Sequence, residues 1–184
     1  MYLEKKVVLN SWIYDSTLEA TFVVELGAGF FDKLSYVHEN VDLKIGIEIW
    51  EPYIKHAKFN ECIKVQGNLL EYKKLLQEYD LSTGVCMLVD VLEHFDKETA
   101  FSLINNLKKD FNKIIVMLPG GKHIQTSDVT GYGAHTYQTH RSYWYKEDLI
   151  LLGFDQVVHD VFYHKNPGKN KTTSCYFCTW QTKE

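Results

Sequence analysis

The chain of 184 residues contains only three prolines and four cysteines, and no apolar run approaches the ~20 residues that cross a bilayer. Its longest apolar stretches, at 22–26, 85–89 and 114–118, are each only five residues long, so no membrane span is expected. It also lacks repeats, low-complexity tracts and any linker-like run of Pro, Gly or Ser, which predicts one folding unit over 1–184. A hydrophobic content of 45% fills one core. An excess of basic charge is missing too: 20 Lys plus Arg against 24 Asp plus Glu give a net charge of −4, which argues against a broad nucleic-acid surface. The opening Met1-Tyr-Leu-Glu-Lys-Lys6 has neither a long apolar block nor a small-residue cleavage site, so the expected compartment is the cytoplasm.

The few cysteines also limit the chemistry. Cys62 and Cys86 stand alone in apolar surroundings and read as buried thiols. Cys175 and Cys178 have metal-like spacing, but they lie in a segment that reads as a strand. There, side chains three apart point to opposite faces, and the two sulfurs cannot share an ion. Asp90 and Glu93 alone do not make an ion site either, so no metal is expected.

Apolar segments and helical patterns alternate along the chain. Strands are predicted at 22–26, 43–49, 63–65, 85–89 and 113–118, and helices follow the first four. One of these runs through Phe31, Leu34 and Val37, a second follows Pro52 to Lys58, and a third covers 69–79. A fourth is capped by Asp96 and buries Ala100, Leu103, Ile104 and Leu107. A helix at 146–152 ends at Gly153, and strands at 154–163 and 172–181 flank the turn-forming cluster Asn166-Pro-Gly-Lys-Asn170. Right-handed crossovers make this an α/β fold: a mostly parallel seven-stranded sheet, helices on both faces, closed by an antiparallel hairpin. Ligands of such sheets bind beyond the carboxyl ends of the strands.

Those ends carry the informative residues. Glu25-Leu-Gly-Ala-Gly29 closes the first strand with glycines that let a ligand approach the backbone. Glu48 closes the second strand 23 positions later, near the spacing at which nucleotide-binding sheets set a carboxylate on ribose hydroxyls. Gly67-Asn68 ends the third, and Asp90-Val-Leu-Glu-His94 follows the fourth. A dinucleotide fingerprint would need glycine where Asp32 stands.

Taken in order, Val24-Glu-Leu-Gly-Ala-Gly29, Gly46-Ile-Glu-Ile-Trp50, Val65-Gln-Gly-Asn68, Leu88-Val-Asp-Val-Leu-Glu-His-Phe95 and Ile115-Val-Met-Leu-Pro119 resemble the successive motifs of class I S-adenosylmethionine-dependent methyltransferases. The resemblance spans about residues 20–181 and implies a Rossmann-like fold. It divides the chain into a short lid segment at 1–20, a cofactor-binding half at 21–118, and a substrate-side loop with closing hairpin at 119–184. It implies that Glu25 approaches the cofactor's amino group, with the backbone of Gly27, Ala28 and Gly29 along the methionine. Glu48 would take the ribose, Ile49 pack on adenine, Asn68 and Leu69 lie at the adenine edge, and Asp90 and Val91 sit beside the methionine. Two departures stand out. Phe31 replaces a common third glycine, and only about 20 residues precede the first strand, where Ser11–Ala20 would be the remnant of a covering element.

The resemblance places His94 nearest the transfer point, as base or acceptor-positioning group. Gly131–Tyr145 holds two histidines, an arginine and several aromatics, a composition suited to a sugar, a base or an aromatic ring; His135, His140 and Arg141 are the acceptor-side candidates. No Asp-Pro-Pro-Tyr or Asn-Pro-Pro-Tyr signature is present, which argues against DNA bases as acceptors. The expected activity is methyl transfer to a small-molecule or sugar-containing acceptor. The alternative is an adenosyl-ligand, nucleoside or glycan binding module of the same fold that has lost catalysis.

Overall fold

Five short apolar segments each reach only a strand's length before a turn, and they assemble side by side. The computed structural model describes residues 2–166 and 169–182, with side chains at 8–160 and 174–182. Strands β1 (Phe22–Leu26), β2 (Leu43–Glu48), β3 (Ile63–Gln66), β4 (Val85–Val89), β5 (Lys113–Pro119), β6 (Gln156–Asn166) and β7 (Lys169–Gln181) form one sheet in the order β3-β2-β1-β4-β5-β7-β6. The first five pair in parallel, β7 runs antiparallel to β5, and β6 pairs antiparallel with β7. Strand order reverses at β1, between β2 and β4, which makes the ends of β1 and β4 the natural binding crevice. The expected architecture is therefore present. The turn predicted at 166–170 includes positions 167 and 168, which lie outside the described residues.

Helix α1 (Tyr2–Ser16) precedes the sheet, followed along the chain by α2 (Glu51–Lys55), α3 (Tyr72–Leu75), α4 (Lys97–Asp110), α5 (His135–Gln138) and α6 (Lys146–Leu151). Helix α4 follows its pattern closely. Asp96 accepts a bond from the Thr99 N–H at 2.8 Å, and Ala100, Leu103, Ile104 and Leu107 are its buried residues. They join Val24, Leu26, Leu88, Val116 and Trp144 in the core on one sheet face. The opposite face packs Leu9 and Ile13 of α1 against Phe31, Leu34, Met87 and Phe177. Cys175 belongs to this second core and Cys178 to the first, so the two sulfurs lie on opposite faces of β7; all four cysteines are free thiols.

Two predicted helices are much shorter than their patterns. After β1 the chain makes a 3-10 turn at Asp32–Tyr36 instead of a helix through Val37, because Phe31 takes a left-handed conformation at φ 63° and bends the backbone. The reason for that bend is packing. Phe31 is fully buried against β2, where a Cβ added to Gly46 would come within 2.5 Å of its ring. Over 69–79, Asn68 accepts from the Leu70 N–H at 3.0 Å and winds Leu69–Glu71 as a 3-10 turn, leaving only Tyr72–Leu75 helical. The predicted face is nevertheless buried at Tyr72 and Leu76. The helix predicted through Lys58 likewise stops at Lys55. Among the described residues no helix is long and apolar enough to cross a membrane.

Candidate functional site at the strand ends

The first wall of the crevice is the glycine turn. The N–H groups of Gly27 and Ala28 both donate to the Ile47 carbonyl, at 2.9 and 3.0 Å, which fastens the turn to the end of β2. Gly27 (φ 74°) and Gly29 (φ 54°) occupy the left-handed region that glycine enters without steric cost. A Cβ on Gly27 would stand 2.8 Å from Val91 Cγ2, whereas a Cβ on Gly29 would meet nothing within 4 Å. One glycine closes the floor against the turn after β4, and the other leaves the space above it open.

Glu48 joins that turn to the next element. Its Oε2 accepts from Gly29 N–H at 2.8 Å and its Oε1 from Trp50 N–H at 2.7 Å, while the carboxylate remains part of the cavity wall. Burial raises its pKa above the ordinary carboxylate value, and the N–H groups of Trp50, Gly29 and Ile49 oppose the shift. Each oxygen keeps a further lone pair, so the group can accept hydroxyl donors from the crevice.

A cavity of about 210 Å³ follows, lined by Gly27, Gly29, Glu48, Ile49, Asn68, Leu69, Asp90, Val91 and His94. These are nine of the positions singled out in the sequence, brought together by four strand ends. Asn68 spends its side-chain oxygen on the Leu70 N–H. Asp90 lies at φ 55°, a strained conformation for a non-glycine residue and one that clusters at functional sites.

Two other expected positions lie outside this lining. Ala28 does not line the cavity, because its side chain is fully buried in the core beneath the turn and its N–H is bound to Ile47. Glu25 does not line it either. The alternation of β1 turns Glu25 to the same sheet face as Val23, fully buried behind the glycine turn, and among the described residues neither carboxylate oxygen has a hydrogen-bond partner. Burial pushes its pKa to about 8; Lys33 pulls against that shift, and Asp32 and Glu48 add to it. Burial also acts against the Lys33 charge, but Asp32, Glu25 and Asp90 hold its pKa above the ordinary lysine value. The two glutamates therefore do not face the crevice together.

A second cavity of about 620 Å³ adjoins the first, sharing Gly27, Gly29, Tyr53, Asp90, His94 and Gln138, and extends past Glu93, His123, Gln125 and His140. Leu9 of α1 reaches its wall, so the N-terminal helix borders the chamber through a residue just ahead of the expected Ser11–Ala20 remnant. His94 is mostly buried, which lowers its pKa, and its Nδ1 lies 3.3 Å from the Thr139 carbonyl. His140 is brought alongside, 5.1 Å from the His94 ring between centroids, with its Nδ1 2.7 Å from the His123 carbonyl. His135 is not brought there: it is exposed, and its ring accepts the Asp128 N–H at 3.2 Å. Arg141 lines the smaller cavity and donates to the Thr136 carbonyl at 3.2 Å, so it stands on the side assigned to the cofactor.

The segment 120–145 carries what sequence reading missed. Asp128 accepts from the N–H groups of Thr130, Gly133 and Ala134 at 2.8, 2.7 and 3.2 Å. Partial burial works against the Asp128 charge, but bonds from the Thr130 hydroxyl and N–H, with those of Ala134 and Gly133, bring its pKa down to about 2. The strap so formed is tied to α2: Trp50 Nε1 donates to the Tyr132 carbonyl at 3.0 Å, and the Tyr53 hydroxyl lies 2.8 Å from that of Thr130. Beyond it, Ser142 and the fully buried Trp144 lock the chain onto the turn after β4. Trp144 Nε1 donates to Ser142 Oγ at 3.0 Å, Ser142 Oγ donates to the Leu92 carbonyl at 3.3 Å, and Arg141 N–H donates to the Glu93 carbonyl at 2.7 Å.

No family model matches the chain, and no curated protein matches it. Solved structures do. A SAM-dependent methyltransferase from Archaeoglobus fulgidus superposes with a TM-score of 0.61 at 20% identity, over 98% of this chain and 95% of that one. TehB from Haemophilus influenzae gives 0.66 at 11% identity, over 94% and 62%. The N-terminal domain of EvdMO1, solved with SAH and D-fucose, gives 0.59 at 12% identity, over 95% and 81%. At these identities the likeness is one of fold: the chain has the class I methyltransferase fold.

Proposed function

We propose that this protein transfers a methyl group from S-adenosylmethionine to a small-molecule or sugar-containing acceptor. The observation that carries the reading is that two neighbouring cavities share Asp90 and His94 in their walls: a glycine-floored cleft with a carboxylate and apolar walls lies beside a larger chamber that carries more polar surface.

The residues present fit the cofactor. Glu48 offers lone pairs to vicinal ribose hydroxyls, Ile49 and Leu69 offer apolar faces to adenine, and the open space over Gly29 admits a chain that a side chain would obstruct. Asp90 lines the cleft, and Glu25 behind the turn adds a carboxyl whose ionisation a nearby cation favours. When bound, the cofactor supplies a methyl group activated by a positively charged sulfur.

Catalysis then rests on placement. Methyl transfer is an in-line displacement, and holding the acceptor in line with the methyl group supplies a large share of the rate enhancement. His94 stands at the junction of the two cavities and serves as an acceptor-positioning group, while His140 flanks it from the strap. Thr139 and His123 carbonyls fix both rings.

Calorimetric titration of the purified protein with S-adenosylmethionine and S-adenosylhomocysteine is the direct test, with dissociation constants in the micromolar range expected for both. Flat traces for both ligands reject the reading. Transfer of labelled methyl groups to pools of small hydroxylated or glycosylated molecules completes it; binding without turnover across such pools would favour the adenosyl-binding module instead.

A further inference from the structure

Glu93, His94 and His140 each present one ligand atom, and these atoms all lie within 4.8 Å of one another. Glu93 is 1% exposed, and all three residues line the larger cavity. They come from separated parts of the chain: Glu93 and His94 sit on the 3-10 turn after β4, and His140 on the strap. We propose that these three side chains bind a divalent first-row transition-metal ion at the junction of the cleft and the chamber. This rests on the methyl-transfer reading for its purpose, though not for its geometry.

The geometry is prearranged. A histidine that binds a metal through one ring nitrogen commonly has its other nitrogen held by a carbonyl or carboxylate, which fixes tautomer and ring direction. Both rings have this support: Nδ1 of His94 faces the Thr139 carbonyl and Nδ1 of His140 faces the His123 carbonyl, which leaves the Nε2 lone pairs as ligands. The backbone is held as well, since His140 N–H donates to Gln125 and the next two residues, Arg141 and Ser142, both donate to the Glu93 carbonyl. The two strands of chain that supply the ligands are thus bonded to each other beside the site.

Two imidazoles and one carboxylate form a mixed nitrogen and oxygen set of intermediate softness, better suited to zinc, cobalt, iron or manganese than to calcium or magnesium. Three protein ligands leave coordination positions open, as in catalytic metal centres. Those positions face a chamber that adjoins the proposed cofactor cleft.

This placement selects the acceptor atom. A neutral amine has one lone pair, and coordination would consume it. A hydroxyl oxygen keeps a lone pair after coordination, and its proton is more easily lost to water because the ion lowers its pKa. That oxygen then forms the new bond to the methyl carbon while the carbon–sulfur pair returns to sulfur, leaving a neutral thioether. The site therefore points to an oxygen acceptor.

The test uses the full chain, freed of any affinity tag and stripped with a chelator. Titration with Co²⁺ alone is followed by visible absorption and calorimetry. One ion per chain is expected, with affinity falling at least about tenfold in His140→Ala and in Glu93→Gln; the second variant preserves side-chain shape if the first unfolds. Acetohydroxamate, a two-oxygen probe, is expected to change the spectrum of the Co²⁺-loaded protein by occupying open positions. No Co²⁺ binding, or binding unchanged in both variants, overturns the site, and an unchanged spectrum overturns its open coordination. S-adenosylhomocysteine is titrated in parallel. Its binding without Co²⁺ binding defeats the metal site and leaves the methyl-transfer reading intact; Co²⁺ binding without it does the reverse.

Discussion

Gly27 and Glu25 show how the glycine turn trades stability for a binding surface. Gly27→Ala forces a side chain into φ 74° and to within 2.8 Å of Val91 Cγ2, on an element that also lines the cleft. A strained position of this kind costs about 1–3 kcal/mol, and the expected result is a lower melting temperature together with at least a tenfold weaker cofactor titration. Unchanged cofactor affinity would show that the turn does not touch the ligand. Glu25 acts in the opposite direction. Folding raises its pKa from 4.5 to about 8, so the native state retains a proton that the unfolded chain releases. Between those values the unfolded chain binds fewer protons, and stability falls as pH rises. Glu25→Gln removes this slope: the unliganded variant should match the wild type near pH 5 and melt higher near pH 8. Parallel melting curves at the two pH values would rule out a buried, proton-retaining carboxyl. The sequence marks Glu25 as important through its place before the glycines, but the two-residue alternation of β1 decides which way it points, and a neighbouring run of apolar residues conceals that.

Elements with strong local rules were legible, and the strap was not. Strands β1 to β5 and helix α4 announce themselves through apolar runs, a cap at Asp96 and four buried residues at helical spacing. The stretch through Leu34 and Val37 has helical spacing too, but the pairing of Phe31 with Gly46 fixes a left-handed bend that local periodicity cannot register. Segment 120–145 has no period at all. Its order comes from Asp128, whose bonds to three backbone N–H groups hold the residues leading into α5. Hydrogen bonds to a charged group contribute about 1.5–3 kcal/mol each when partly shielded, less where water competes. Asp128→Ala is therefore expected to speed amide exchange and proteolytic cleavage within 128–137, with α4 unaffected. Because Tyr137 and Gln138 line the cleft, cofactor affinity should drop by about tenfold or less, the equivalent of about 1.4 kcal/mol. Exchange that speeds up equally in α4 would mean that the whole domain, and not the strap, had been weakened.

At the scale of the molecule the site is an agreement between distant parts of the chain. The positions at four strand ends were legible because a parallel sheet brings those ends to one edge. His140 was singled out for its loop, but its approach to Glu93 was not, since the contact depends on Ser142 and Trp144 anchoring the strap more than forty residues along. This arrangement makes a global prediction. A ligand in the cleft touches the glycine turn, the ends of β2 and β4, and the strap at once, so its binding energy should appear as stability of the entire fold. At a ligand concentration one hundred times its dissociation constant the linkage contributes about 2.7 kcal/mol. For a domain of this length each kcal/mol moves the midpoint by about 2–4 °C, so S-adenosylhomocysteine should raise it by about 5–11 °C in one cooperative transition. Amide exchange in its presence should slow at 27–29, 48–50, 68–70, 90–95 and 136–141 beyond the global gain. Slowing confined to one of these segments, with the melting transition unmoved, would mean that the strand ends and the strap do not close on a common ligand.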